Sequence, residues 1–234
     1  MVHAFDRIVI NVPDLALAAA QYQQLLAVVP FPCLTHRGLN ALWLGLSNTV
    51  IELVESEVQS PVIAGIAFSA KPMAGGHRTV SNPLQLDISL SDGSGTDEYR
   101  RQLVRQLPSP HGMSVDHLVL RTGDAQACID LFAEELGLRL ALDKTVPAWG
   151  GRMLFFRTGK LTLEVIAADP EQHHSDYFWG IAYQCADLLR LSRDLEERGV
   201  ALSEIRDGRK PGTRVATLKS HCLGIPTLLV QPAT

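Results

Sequence analysis

Hydrophobic and polar positions along the chain follow two periods, and the two periods occur in the same order twice. Apolar residues at Leu15, Ala18, Ala19, Tyr22, Leu25 and Leu26 keep the near-3.6 spacing of a helix with one buried face. Cys128, Ile129, Leu131, Phe132 and Leu136 keep it again until Gly137 interrupts it. Each run follows an acid, Asp14 or Asp124, whose short carboxylate suits a helix N-cap. Ahead of each predicted helix lies a strand-like stretch, Phe5-Asp6-Arg7-Ile8-Val9-Ile10 or Val115-Asp116-His117-Leu118-Val119-Leu120. Behind each lies a predicted hairpin: Ala41 to Leu44 returns as Thr49 to Val54, and Met153 to Phe156 returns as Leu161 to Ile166. The pattern predicts a duplicated unit of strand, helix and three strands. Duplication makes positions comparable, so Arg7 corresponds to His117 and Glu52 to Glu164.

A third echo, Gly65-Ile66-Ala67-Phe68 against Gly180-Ile181-Ala182-Tyr183, begins a partner for each unit. The second partner reads as complete: a strand to Cys185, a helix near Asp187 to Arg198, and strands around Ala201 to Ile205, Thr213 to Leu218 and Pro226 to Val230. The first reads as degenerate, because Lys71 to Asn82 is rich in Gly, Pro and polar residues where a helix should stand, although Leu84 to Leu90 is strand-like. Asp97 to Leu107 predicts a charged helix, and Pro108 to Gly112 a linker. The expected organisation is an α+β chain of two domains, residues 1–110 and 113–234, each long enough to bury a core.

Composition narrows the classes of partner. A formal charge of -4 with scattered Lys and Arg offers no basic stripe for nucleic acid, and no segment approaches the length of a membrane span. The start, Met1 to Ile10, enters a strand directly without a signal or transit pattern, which leads to the expectation of a cytoplasmic protein. Cys33, Cys128, Cys185 and Cys222 lie far apart with no Cys-x-x-Cys spacing, as reduced apolar thiols do; only Cys222 has a neighbour of chemical interest, His221. No nucleophile elbow, phosphate loop or dinucleotide fingerprint is present.

The Asp116-His117 strand, the Asp-capped helix, the hairpin Gly150-Gly151-Arg152-Met153-Leu154-Phe155-Phe156 and the strand Leu163-Glu164-Val165 resemble the glyoxalase-like, vicinal oxygen chelate superfamily. Residues 115–232 carry the resemblance best, 5–57 well, and 58–112 in outline. It implies tandem paired βαβββ modules, the second of them degenerate, whose curled mixed sheets form cups around a divalent metal or a ligand. Members include lyases, isomerases, ring-cleaving dioxygenases and small-molecule binding proteins of the bleomycin-resistance type.

In such a fold His117 and Glu164 stand on neighbouring strands. Facing side chains there have Cβ atoms roughly 4.5 to 5.5 Å apart, close enough for an imidazole and a carboxylate to reach one ion about 2.1 Å away. Nitrogen and carboxylate oxygen admit Zn, Fe, Mn, Ni or Co, which would chelate vicinal oxygens and stabilise an enolate or hold a substrate for oxygen attack. The pair is a half-site. The positions where the family pattern calls for a second His and a second carboxylate hold Gly180 and Leu228. Substitutes are Gln184, His173, His174, His221, or the same pair from a second subunit in a symmetric homodimer. The plainer reading is a buried His and Glu that hydrogen-bond each other or the backbone.

In the first copy Arg7 and Glu52 predict a mutually neutralising structural pair, with a carboxylate-bearing ligand held by Arg7 as the sharper alternative. The cationic stretch Arg206 to Arg214, with Lys219 beyond it, resembles a family segment beside the cup and makes Arg214 or Lys219 candidates for an anionic substrate group; the alternative is a solvated hairpin. Trp43, Trp149, Trp179, Phe155, Phe156 and Phe178 are expected in the core, with Trp149 on a candidate lid, and His36 and His77 in solvent-facing loops. The expected function is a metal-dependent lyase, isomerase or dioxygenase acting on a small oxygenated, anionic substrate. The alternative is a metal-free binding protein of the bleomycin-resistance type. An extradiol-type ring-cleaving dioxygenase is disfavoured, since the last module lacks the His and Glu it calls for.

Overall fold

The computed structural model describes residues 2–71, 76–92, 99, 112–146, 151–168 and 175–233. The predicted helix over Asp97 to Leu107 (Tyr99 apart), most of the Pro108 to Gly112 linker, Trp149, His173 and His174 lie outside the described residues.

Past a bulge that follows the core residue Phe5, strand β1 (Val2–Val12) sends Ile8, Ile10 and Val12 into the core and leaves Arg7, Val9 and Asn11 on the other face, the period-2 alternation of a strand with one buried side. Helix α1 (Leu15–Leu26) starts where Asp14 Oδ1 accepts the Leu17 N–H at 2.9 Å, and buries Ala18, Tyr22, Leu25 and Leu26. It stops at Ala27, which takes φ 54° without being glycine. β2 (Phe31–Leu34), β3 (Asn40–Gly45) and β4 (Val50–Glu55) complete the first module, and β5 (Val62–Ala70), β6 (His77–Thr79) and β7 (Asp87–Ser91) the second. The Gly- and Pro-rich stretch thus ends in the short strand β6, not in a loop alone, and carries no helix among the described residues.

The second half repeats the plan. β8 (Ser114–Thr122) leads to α2, whose first turn Ala125–Cys128 is capped by Asp124 Oδ1 on the Ala127 N–H at 2.9 Å. α2 then widens into a π-helical segment over Ile129–Glu135, with the Leu136 N–H donating to Leu131 O, and closes at Gly137, φ 76°. β9 (Arg139–Val146), β10 (Gly151–Thr158), β11 (Leu161–Ala167), β12 (Tyr177–Gln184), α3 (Leu188–Glu197), β13 (Arg206–Asp207), β14 (Arg214–Thr217) and β15 (Thr227–Gln231) follow. Asp187 caps α3 on the Arg190 N–H, a third use of the same device. The strand expected over Ala201 to Ile205 reduces to a single bridge between Leu202 and Leu218.

Two mixed sheets result, ordered β2-β3-β4-β1-β5-β7-β6 and β13-β14-β15-β12-β8-β11-β10-β9. In each, two antiparallel central strands, β1 with β5 and β8 with β12, are flanked by parallel partners, β4 and β7 or β11 and β15. This is the tandem paired-module arrangement expected from the resemblance. The apolar backs of both sheets and all three helices merge into one continuous core. Within it Tyr22 of α1 and Tyr183 of β12 are fully buried side by side, and burial drives both phenols well above their ordinary range. Asn48 clamps the two halves at their edge: its side-chain amide donates to Val115 O at 2.7 Å, and its oxygen accepts the Val115 N–H at 3.0 Å.

Gly65 and Gly180, which echo each other in sequence, share a physical constraint. A Cβ at Gly65 would stand 2.4 Å from Asp87 O, and one at Gly180 would stand 2.6 Å from Pro226 O. Both glycines sit at bulges in the central strand pair, where β5 closes on β7 and β12 on the start of β15. Gly180 is therefore no vacated ligand position, because any side chain there would run into backbone. Among the described residues no helix is long and apolar enough to cross a membrane.

Candidate functional site

The face of each sheet turned away from the common core forms a cup. In the second sheet His117, Val119 and Arg121 of β8 alternate with the core residues Leu118 and Leu120, while Thr162, Glu164 and Ile166 of β11 alternate with Leu161, Leu163 and Val165. The parallel register sets Thr162 directly beside His117 and Glu164 beside Val119, so the imidazole and carboxylate meet on a diagonal and are not directly opposite. His117 Nε2 lies 3.5 Å from Glu164 Oε2, with side chains 19% and 17% exposed.

Asp116 completes the arrangement. Neighbouring residues of a regular strand point to opposite faces, but Asp116 is left unpaired between Val115, opposite Tyr183, and His117, opposite Ala182. This bulge lets Asp116 Oδ2 reach His117 Nδ1 at 2.7 Å. Burial works against the imidazolium, but the Asp116 hydrogen bond and the charges of Glu164 and Asp116 outweigh it and raise the His117 pKa above its ordinary 6.5.

The first sheet repeats the geometry with different chemistry. Asp6 is the matching bulge residue, and its Oδ2 lies 2.8 Å from Arg7 Nη1, while Arg7 Nε lies 3.3 Å from Glu52 Oε2 at an angle that makes it an ion pair and not a formed hydrogen bond. Trp43, opposite Glu52 on β3, donates its Nε1–H to Glu52 Oε1 at 2.9 Å and carries the Arg7 guanidinium over its ring at 5.7 Å. Tyr99 packs against Trp43, ring centroids 5.7 Å apart, and donates its hydroxyl to Trp43 O at 2.8 Å. Both acceptor oxygens of Glu52 and the charge of Arg7 are thereby engaged inside the protein. In the second sheet the position of Trp43 is taken by Phe155, opposite Glu164, which has no hydrogen to donate. Among the described residues Glu164 accepts no hydrogen bond, and its contact with His117 is too long to be a good one.

The remaining sequence candidates fall elsewhere. Gln184 shares the face of Ala182, one alternation past the residue opposite His117, and is half-buried. Leu228 lies beside Ala182 on β15. Arg214 alternates with Val215, shares the face of the core residue Ala216 and is exposed, three strands from β8 in the sheet order. Lys219 is exposed beyond that strand, its backbone N–H given to Ala201 O. Neither cation is brought to the imidazole. His221 takes φ 57° in a loop that packs Cys222, Leu223 and Ile225 into the core, with its Nδ1 2.8 Å from Ser220 Oγ. Trp43 and Trp179 line cups instead of filling the core, Trp179 being 40% exposed, while Phe156 and Phe178 are buried as expected. His77 is on strand β6, half-buried and stacked on His36 with ring centroids 3.9 Å apart. The four thiols are unpaired, and burial pushes Cys33 and Cys128 up to about 12 and Cys185 to about 11. The roles of Asp116, Asp6 and Trp43 are not read from the sequence alone; the repeated pairing of Asp with a following base is their signal.

With this geometry in place, comparison with known proteins adds three findings. The model of the Glyoxalase/Bleomycin resistance protein/Dioxygenase superfamily matches residues 116–217. No curated protein matches the chain. Among solved structures, a mutant of 4-hydroxymandelate synthase from Streptomyces coelicolor is similar over 99% of this chain and 93% of its own, at 13% identity and a TM-score of 0.70, a likeness of fold alone. Methylmalonyl-CoA epimerase from Mycobacterium tuberculosis is similar over 56% of this chain and 96% of its own, at 19% identity and a TM-score of 0.46.

Two predictions follow from the paired sites. Replacing Glu52 with Gln removes one of the two carboxylate charges that hold Arg7 and should destabilise the fold by about 1 to 3 kcal/mol, seen as a lower melting temperature; an unchanged melting temperature contradicts the structural role. His117 has a folded-state pKa above its unfolded value, so its protonation adds stability that is fully present below pH 6.5 and is lost as pH rises through the folded value. Metal-free protein should therefore melt earlier as pH climbs through that window, and His117→Gln should flatten the profile. A wild-type melting temperature that rises over the same window would contradict it.

Proposed function

We propose, from the premise that the C-terminal half of this chain belongs to the Glyoxalase/Bleomycin resistance protein/Dioxygenase superfamily, that residues 113–234 form a metal-dependent enzyme domain acting on a small oxygenated, anionic substrate, with His117 and Glu164 as ligands of the ion. The observation that carries this reading is the gap between them. Two atoms each about 2.1 Å from one ion at a tetrahedral angle stand roughly 3.4 Å apart; His117 Nε2 and Glu164 Oε2 stand 3.5 Å apart, with no direct hydrogen bond between them. The donor set suits Zn, Fe, Mn, Ni or Co.

The chain's own residues supply the rest. Asp116 holds Nδ1 and so turns Nε2 into the cup, the usual support of a metal-binding imidazole. Phe155 leaves the Glu164 carboxylate free, and Val119, Met153 and Ala182 give the cup an apolar floor. An ion bound there would act as a Lewis acid toward vicinal oxygens of a lyase, isomerase or dioxygenase substrate. Among the described residues no group of three His, Cys, Asp or Glu side chains gathers, so the remaining ligands are water, substrate, Gln184, a histidine of the pair His173 and His174, or a second copy of the half-site in a homodimer. The domain of residues 1–110 is structural in this reading, since its equivalent pair is neutralised internally. Unpaired thiols suit a cytoplasmic setting.

A metal-free binding protein of the bleomycin-resistance type is the second reading, favoured by the backbone that fills the space beyond Gly180 and by apolar Leu228. Elemental analysis separates the two. Wild type should carry stoichiometric metal that His117→Ala and Glu164→Gln lose, with one ion per two chains if subunits share it. Wild type that takes up no metal after incubation with excess divalent ions overturns the enzymatic reading.

A further inference from the structure

Arg121 has no part in the pairing of His117 and Glu164, yet it belongs to the same cup. It follows His117 and Val119 on the cup face of β8, with Ile166 beside it on β11 and Tyr177 on β12. Its guanidinium lies over the Trp179 ring, 5.9 Å from the centroid. Trp179 is the bulge residue between Phe178 and Gly180. Arg121 Nε is buried without a hydrogen-bond partner, and among the described residues no carboxylate pairs with this cation. Asp176, which precedes the residue opposite Arg121 in sequence, accepts the Gly123 N–H at 3.2 Å.

An unpaired guanidinium of this kind contrasts with Arg7 of the first cup. Arg7 is held by two carboxylates, and the residue equivalent to Arg121 in the first copy is the uncharged Asn11. The cation is thus particular to the second cup. A half-buried guanidinium with free donors and an aromatic plate beneath it presents a fork for the two oxygens of a carboxylate or phosphate.

We propose that Arg121, braced by Trp179, is the specificity-determining residue that binds the anionic end of the substrate, in place of Arg214 or Lys219. This rests on the reading of the C-terminal cup as a substrate site. Arg121 stands two residues past the position beside Glu164 and four past His117, roughly 7 to 13 Å along the strand at about 3.3 Å per residue. The substrate class is therefore an elongated small molecule, with vicinal oxygens at one end and a carboxylate or phosphate at the other.

The test uses the full chain treated with EDTA, so that an added anion cannot bind a metal. Benzoate, inorganic phosphate and neutral benzamide are titrated while the Arg121 Nε–H and Trp179 indole N–H resonances are followed by NMR. One of the two anions should move both resonances to saturation, and the one that does so at lower concentration names carboxylate or phosphate as the preferred group; benzamide should leave them in place. Arg121→Gln should bind that anion about tenfold or more weakly, and Arg121→Lys should fall between Gln and wild type. Neither anion moving the Arg121 resonance at millimolar concentration, or equal affinity in wild type and both variants, overturns the proposal. Failure of the wild type to take up metal would sink the enzymatic reading and leave this titration unaffected.

Discussion

Because Asp116 is left over between two paired residues of β8, an acid and a base that are neighbours in sequence come to the same side of a strand, where regular pleating would separate them. The chemistry of the C-terminal cup depends on that one extra residue. It fixes which imidazole nitrogen faces inward, and the register of β11 then brings the Glu164 carboxylate to within 3.5 Å of it. The first sheet keeps the same bulge at Asp6 with an arginine in place of the histidine, so the backbone device does not depend on the chemistry placed on it.

Three substitutions separate the two cups. Arg7 against His117 decides whether the central base has a lone pair to give; Trp43 against Phe155 decides whether the opposing carboxylate is already satisfied; Asn11 against Arg121 decides whether the far end of the cup holds a cation. In the first sheet the charges neutralise one another beside Trp43, and in the second Glu164 accepts no hydrogen bond among the described residues. What both sheets keep is scaffold: the Asp N-caps of α1 and α2, the parallel flanking strands, and the glycines at which the central strand approaches backbone too closely for a side chain.

How much of this is legible before a structure depends on the range of the interaction. Periodicity and caps are local and place β1, α1 and the hairpins, and the repeat sets Arg7 against His117 and Glu52 against Glu164. The π-helical widening of α2, the αL stop at Ala27 and the short β6 have no local signature strong enough to read. Side-chain direction is harder still: Trp43 reads as core yet hydrogen-bonds Glu52, and Arg214 reads as a candidate for the substrate's anionic group yet shares a face with the core residue Ala216. Arg121 is invisible in sequence, since its meaning comes from a tryptophan on a strand that follows it by more than fifty residues.

The central claim is that His117 Nε2 and Glu164 share one cation, and anomalous diffraction from a zinc-soaked crystal, measured across the zinc edge, tests it most directly. The account predicts a single strong peak in the C-terminal cup, about 2.1 Å from both His117 Nε2 and a Glu164 oxygen, and none beside Arg7. A cup without such a peak, with Glu164 and the imidazole bonded directly to each other, would contradict it.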